Sequence, residues 1–412
     1  MRLSTLGILR CPYCGGRLEL VESLFHRREA SEIQDGILGC HCCIFPVVDG
    51  IPVLHLQPAA TVARDQVQAG RPDLARRTMF GLESEADAAA FDAVAASPHA
   101  TYRETVDALG PNFEGGYFLY RFSDPTFIVA EAVVRAVAGT VLARGDRAID
   151  ICGGSGHLTR TLLDLSTEPV VLADLYFAKV WLARRFTAAG CEPVCCDGNS
   201  PFPFARDAFG YAMCTDAFMY IWTKRQFVGE MTRLVDPARG AVVIGHTHNE
   251  RTWTPSHGQP LSPEGYVDLF ESLPPRVFAE GGLFEDVVAG GPLDLSRLDG
   301  KATLDAAPAL TVVATHHPGV FGRHALPPKP VSGELRVNPL YAAEPAGSRV
   351  RLRLRFPSDD YEQEYGACRR YLPDDVTVER AALDAMSQGT VPPALADLAR
   401  RRVIVDLPRR YY

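Results

Sequence analysis

Arg147-Ala-Ile-Asp-Ile-Cys-Gly-Gly-Ser-Gly-His-Leu-Thr-Arg-Thr-Leu-Leu163 is the stretch on which the fold turns. An apolar run carrying Asp150 leads into Gly153, Gly154 and Gly156, and a helical pattern follows. Glycines let a backbone approach a ligand closely, and a helix N-terminus leaves N–H groups free to bind one. The glycines do not have the GxGxxG spacing of dinucleotide-dependent oxidoreductases. Outward from this turn, apolar strands alternate with helices, the pattern of βαβ units and a largely parallel sheet. Strands are predicted at Ala148–Cys152, Val170–Ala173, Glu192–Cys196, Tyr211–Cys214, Ala241–Gly245, Phe284–Val288 and Leu310–Thr315.

Acids stand at the predicted strand ends. Asp174 closes the second strand, where a carboxylate can accept hydrogen bonds from both hydroxyls of a ribose. Asp197 follows the third strand, and Glu230, Arg233 and Pro237 form a helix and turn before the fifth. Together these motifs resemble the class I S-adenosylmethionine-dependent methyltransferases over roughly residues 105–318. The resemblance implies an α/β fold, with a Rossmann-like seven-stranded methyltransferase sheet and helices on both faces. It also implies S-adenosyl-L-methionine as cofactor. Gly153, Gly154 and Gly156 would lie at its amino-acid end, Asp174 at the ribose and Asp197 on the adenine side, with Asp150, Leu175, Gly198 and Thr215 as further cofactor contacts. Cys152 stands where the first glycine of the loop is usual.

Five of the eleven cysteines fall in the first 43 residues. Cys11-Pro-Tyr-Cys14 and Cys40-His-Cys-Cys43 form two CxxC knuckles, a spacing that brings four thiolates to one tetrahedral Zn²⁺. The expected ligands are Cys11, Cys14, Cys40 and Cys43, with Cys42 left as the spare. A segment this short needs such a metal to supply folding energy. Residues 4–56, ending in FPVVDGIPVL, resemble the small zinc-ribbon activators that partner methyltransferases. The resemblance implies a stabilising ribbon fused in cis.

In open α/β sheets, reacting groups lie beyond the carboxyl ends of the strands. That rule selects His246 and His248 after the fifth strand as catalytic candidates. A histidine near neutral pH can take a proton from a hydroxyl, phenol or amine. Loop-structural hydrogen bonding and a metal site with His316 or His317 are the alternatives. Tyr220, Asn249 and Trp253 are candidate acceptor contacts, Trp253 on a lid-like Pro/Gly/Ser-rich loop (251–265). Tyr117 and Tyr120, in an aromatic run before the core, are candidates as well, with core packing as the other reading.

Composition sets the outer limits. The chain has 412 residues, 47% hydrophobic and 22% charged, with a net charge of −8. That is ordinary globular usage, and it disfavours a broadly basic nucleic-acid-binding protein. No apolar run is long enough to span a membrane, and a cytoplasmic location is the expectation. The expected organisation is a zinc ribbon (1–56), a helical linker or cap (57–104), the methyltransferase domain (105–323) and an α+β accessory domain (334–412). In the last, Arg349, Arg351, Arg353 and Arg355 alternate with apolar residues. This reads as an edge strand, or as a basic face paired with Asp359, Asp360, Glu362 and Glu364. The resulting expectation is O- or N-methylation of a small molecule in bacterial specialised metabolism, by a chain that can form a homodimer. An RNA or protein methyltransferase, or a non-catalytic scaffold, would be the alternatives.

Overall fold

The computed structural model describes residues 1–110, 118–254 and 258–412. Its centre is a sheet of seven strands: β1 Ala148–Ile151, β2 Val171–Asp174, β3 Glu192–Cys195, β4 Tyr211–Thr215, β5 Ala241–His248, β6 Pro275–Ala279 and β7 Ala309–Thr315. The spatial order is β6-β7-β5-β4-β1-β2-β3. β7 runs antiparallel to both its neighbours, and the remaining pairings are parallel.

Side chains alternate between the two faces of a strand, and the two cores follow that alternation. Leu172, Tyr211, Met213 and Val243 pack under the helices Pro125–Val141, His157–Leu165 and Phe177–Leu182. Val171, Ala173, Ala212, Cys214, Val242 and Ile244 face the other way, toward helix Lys224–Leu234 and the N-terminal ribbon. Burial on both sides explains why these strands read as continuous apolar runs.

The sixth strand corrects the sequence expectation. It is Pro275–Ala279, whereas Phe284–Val288 lies within helix Glu280–Ala289. That helix buries Leu283 and Phe284 and ends at Gly290 in the left-handed conformation.

The first 56 residues form a small antiparallel sheet that docks on the free edge of β3. Val53 pairs in parallel with Cys195, and Leu54 N–H donates to Cys195 O at 2.7 Å. Arg10 N–H donates to Pro203 O at 2.9 Å. Trp181 Nε1–H reaches Asp49 at 2.6 Å, and Arg2 pairs with Glu192 at 2.9 Å. Four helices follow, at Pro58–Gln68, Pro72–Phe80, Glu85–Ala96 and Tyr102–Ala108. Phe80 and Phe91 lock them onto Trp181, with ring centroids 5.3 and 5.8 Å away.

Residues 334–412 build a three-stranded antiparallel sheet (Tyr341–Ala346, Arg349–Leu354, Asp375–Glu379), a two-stranded pair (Glu334–Val337 with Ile404–Leu407) and short helices. Arg349–Leu354 is the central strand of its sheet, not an edge. Its arginines pair across the strands with Glu379, Asp375 and Glu344, rather than with the acids of 359–364. Cross-strand neighbours lie closer than the residues of the following helix. Among the described residues, no helix is long and apolar enough to cross a membrane.

Candidate active site

Beyond β1 the chain turns through Cys152, Gly154 and Gly156, all with positive φ. Glycine adopts that conformation freely, whereas at Cys152 it costs roughly 1–2 kcal/mol. A Cβ on Gly153 would collide with Leu172 and come within 2.5 Å of the Asp150 carboxylate. Only glycine lets the loop lie this close to the sheet. Asp150 itself is buried beneath the loop, accepts from Thr159 Oγ1 at 2.7 Å, and is pushed up to about 7 by that burial. It supports the loop from below instead of facing a ligand.

Asp174 ends β2. It accepts from Gly154 N–H at 3.0 Å and from Tyr176 N–H at 2.9 Å. Burial raises its carboxyl above the ordinary value, against the opposing pull of Lys179 and these N–H groups. Each carboxylate oxygen has a second lone pair to offer. Leu175 O is 3.1 Å from Cys195 Sγ. Asp197 accepts from Asn199 N–H at 2.8 Å. A Cβ on Gly198 would come within 3.3 Å of Cys152 Sγ, so the Asp197 turn lies against the glycine loop. Thr215 ends β4. The glycine cradle, the start of helix His157–Leu165 and the buried acid together fit a ligand bearing a ribose diol and an amino-acid end, as S-adenosylmethionine does.

A second constellation stands at the carboxyl ends of β4 and β5. Asp216 follows β4 and His246 lies within the bulge of β5 between Ile244 and Thr247, both in left-handed conformations rare for non-glycine residues. Such outliers persist where the surroundings impose them. Here the clamp is Glu280. It accepts from His246 N–H at 2.8 Å, pairs with His246 Nδ1 at 2.7 Å, and accepts from Thr311 Oγ1 at 2.7 Å. Burial opposes charge on His246, but the Glu280 carboxylate outweighs it and lifts the imidazole to about 9. The His248 ring lies 5.6 Å away, held below its usual value by burial and by His246. His246 is therefore the charged imidazole at neutral pH, and His248 the neutral one.

Arg121 pairs with Asp216 at 2.9 Å and with Asp124 at 3.3 Å. Burial pushes Asp124 up to about 6 despite Arg121. The C-terminal module supplies a wall: Tyr361 packs on Tyr120 at 5.5 Å and on Tyr365 at 4.8 Å. Tyr361 Oη is buried and has no hydrogen-bond partner among the described residues.

The remaining candidates divide. Tyr220 and Trp253 are exposed, Trp253 at 81%. Asn249 is wholly buried, its amide donating to Leu304 O and Ala307 O, so it braces the loop rather than meeting a ligand. Tyr117 and the lid residues 255–257 lie outside the described residues. His316 bonds Ser272 O at 3.0 Å, away from the His246 pair. Sequence reading missed Arg121, Asp124, Glu280, Tyr361 and Tyr365. Glu280 was within its reach: it follows β6 directly, so the strand-end rule selects it once β6 is placed correctly.

In the N-terminal ribbon, the sulfurs of Cys11, Cys14, Cys40 and Cys42 all lie within 4.8 Å of one another. This corrects the expected set, in which Cys43 held the fourth place. The Cys11–Cys42, Cys40–Cys42 and Cys14–Cys40 separations are 3.6, 3.6 and 3.7 Å. A tetrahedron with metal–sulfur bonds of about 2.3 Å has edges of about 3.8 Å, so the set fits zinc. Among the described residues it is the one group with metal-ligand geometry.

The strand order and directions define the class I S-adenosylmethionine-dependent methyltransferase fold. No protein-family model matches the sequence, and no curated protein matches it. Solved structures overlap parts of the chain. One is a chain of the complex between the Haloferax volcanii Trm112 methyltransferase activator and a methyltransferase (18% identity, 45% of this chain and 89% of that one, TM-score 0.36). Another is geranyl diphosphate C-methyltransferase of Streptomyces coelicolor (16%, 44% and 75%, TM-score 0.33). A third is a TehB-like methyltransferase of Corynebacterium glutamicum (15%, 45% and 86%, TM-score 0.33). The strand order, rather than these partial overlaps, defines the fold.

Proposed function

We propose that the chain is an S-adenosylmethionine-dependent methyltransferase acting on a small-molecule hydroxyl or amine, with structural zinc in its ribbon. The observation that carries this reading is the buried Asp174 carboxylate, bonded to Gly154 N–H at the end of β2 beside the glycine cradle. When bound, S-adenosylmethionine supplies an electrophilic methyl group on a sulfonium. The loop Gly153–Gly156 would hold its amino-acid end, Asp174 and Leu175 the ribose, and Asp197, Gly198 and Thr215 the adenine side.

The chain's own residues divide the remaining work. His248, neutral, takes the proton released by the acceptor. His246 and Glu280 form a fixed charged pair that holds the neighbouring ring in place. Arg121 and Asp216 orient the polar end of the acceptor, and Tyr120, Tyr361 and Tyr365 exclude water. The tyrosine wall supports a small acceptor, because it narrows the space above the strand ends.

Calorimetric binding of S-adenosylhomocysteine to the full-length protein tests the reading. Wild type is expected to bind in the micromolar range. Asp174→Ala is expected to lose about 2–5 kcal/mol, the scale for one partner of a buried charge-assisted hydrogen bond. A folded, zinc-loaded wild type that fails to bind overturns the enzyme reading. For the ribbon, Cys42→Ser is expected to abolish stoichiometric zinc and Cys43→Ser to retain it.

A further inference from the structure

The glycine loop has a neighbour from far along the chain. Tyr411 is buried to 1% exposure, and its hydroxyl lies 2.6 Å from Phe118 O and 2.7 Å from His157 Nε2. The hydroxyl carries one hydrogen. Given to the Phe118 carbonyl, it requires His157 to donate from Nε2. His157 is the first residue of the helix that leaves the glycine loop, and it is neutral, pulled down to about 3 by burial and by Arg121. Phe118 stacks on His157 at 5.7 Å, and its ring edge would lie 3.8 Å from a Cβ on Gly154. Tyr412 Oη–H donates to the next carbonyl, Leu119 O.

The strut behind is rigid. Tyr411 stacks on the buried Tyr102 at 4.7 Å and 11°. Tyr102 N–H and Arg103 N–H donate to Arg410 O and Tyr411 O at 2.8 and 3.2 Å, so the same residues cap helix Tyr102–Ala108.

We infer that Tyr411 and Tyr412 are positioning residues for the cofactor site: they pin Phe118–Tyr120 over the glycine loop, so the C-terminal module completes the pocket. This rests on the reading of that loop as a cofactor cradle. Neither tyrosine touches the ligand; both act through the carbonyls of residues 118 and 119 and through His157.

The test uses full-length protein and S-adenosylhomocysteine as probe. Tyr411→Phe is expected to weaken binding about tenfold. Tyr341→Phe is the control, since it removes a like bond (Tyr341 Oη to Pro373 O, 2.6 Å) inside the same module. It is expected to lower Tm to a similar extent while leaving affinity unchanged. Equal affinity of Tyr411→Phe and wild type, or equal losses in both variants, overturns the inference.

Amide exchange covers the case in which Tyr411→Phe fails to fold. In wild type, the probe is expected to slow exchange at 118–122 and at 409–412 together. Protection at 118–122 alone overturns the inference. If wild type does not bind the probe, the cofactor reading fails first. The pin then stands or falls on whether Tyr411→Phe, without ligand, speeds exchange at 118–122.

Discussion

The ribbon joins the edge of the central sheet, and the C-terminal module joins the helices that cover it. The ribbon docks through backbone as well as through side chains such as Asp49 with Trp181 and Arg2 with Glu192. Its chain at Val53–Leu54 adds to the edge of β3, and Arg10 N–H pairs with Pro203 O. The C-terminal module docks through side chains. Arg402, together with Lys329 of the preceding segment, converges on the buried Glu131, Arg160 meets Asp406 at 2.9 Å, and Tyr371 Oη–H donates to Ser123 O at 2.5 Å. Backbone pairing depends little on which side chains are present, so its strength is spread over the edge. Side-chain docking concentrates strength at a few points, which single substitutions can break.

The contrast breaks most sharply at Glu131. Glu131→Ala strips Arg402 of its carboxylate and leaves Lys329 only Asp164 at 3.2 Å, and is expected to cost about 3–5 kcal/mol. Urea unfolding measures the loss, and proteolysis should open the segment 324–333. Glu131 is held well below the usual carboxylate range; burial opposes this, and Arg402 and Lys329 override it. Its contribution is therefore present at neutral pH and fades only as pH falls below the ordinary glutamate value.

Replacing Leu54 by its α-hydroxy-acid analogue deletes one backbone donor from the ribbon seam while keeping the buried side chain, and is expected to cost less, about 1–2 kcal/mol. A loss as large as that of Glu131→Ala would show that the seam is not distributed.

His246→Gln sharpens the picture on the acceptor side. A folded-state value raised to about 9 means that the His246–Glu280 pair stabilises fully below about pH 6.5 and is lost as pH rises through 9. The gap between wild type and variant should therefore narrow by roughly 3 kcal/mol from pH 6 to 9.5. A constant gap means the pair is not charged.

The smallest effect is expected at Tyr361→Phe. Removing a buried hydroxyl without a partner should leave stability unchanged or raise it by about 1 kcal/mol. A clear loss would mean that this hydroxyl has a partner after all.

The cofactor side was legible in the sequence because its parts are contiguous: strand, glycine turn and helix within seventeen residues, then one acid per strand end. The acceptor side was not. His246, Glu280, Arg121 and Tyr361 come from four distant segments that meet only through strand order and module docking. The sixth strand was hidden by Pro275 and Arg276, while Phe284, Val287 and Val288 imitated a strand from one helix. Cys42 and Cys43 are adjacent, and spacing alone favoured the regular CxxC partner over the one the turn delivers.

Cys152 and Asp216 directly beyond β1 and β4, and His246 in the bulge of β5, hold left-handed conformations on three strands lying side by side. Glycine at Cys152 would relax the backbone outright, whereas at Asp216 and His246 it would also remove the pairs with Arg121 and Glu280, so laboratory selection for heat resistance alone should drift toward glycine only at 152. Among chains of this architecture, strained side chains retained at the positions of Asp216 and His246 would mark a member still at work.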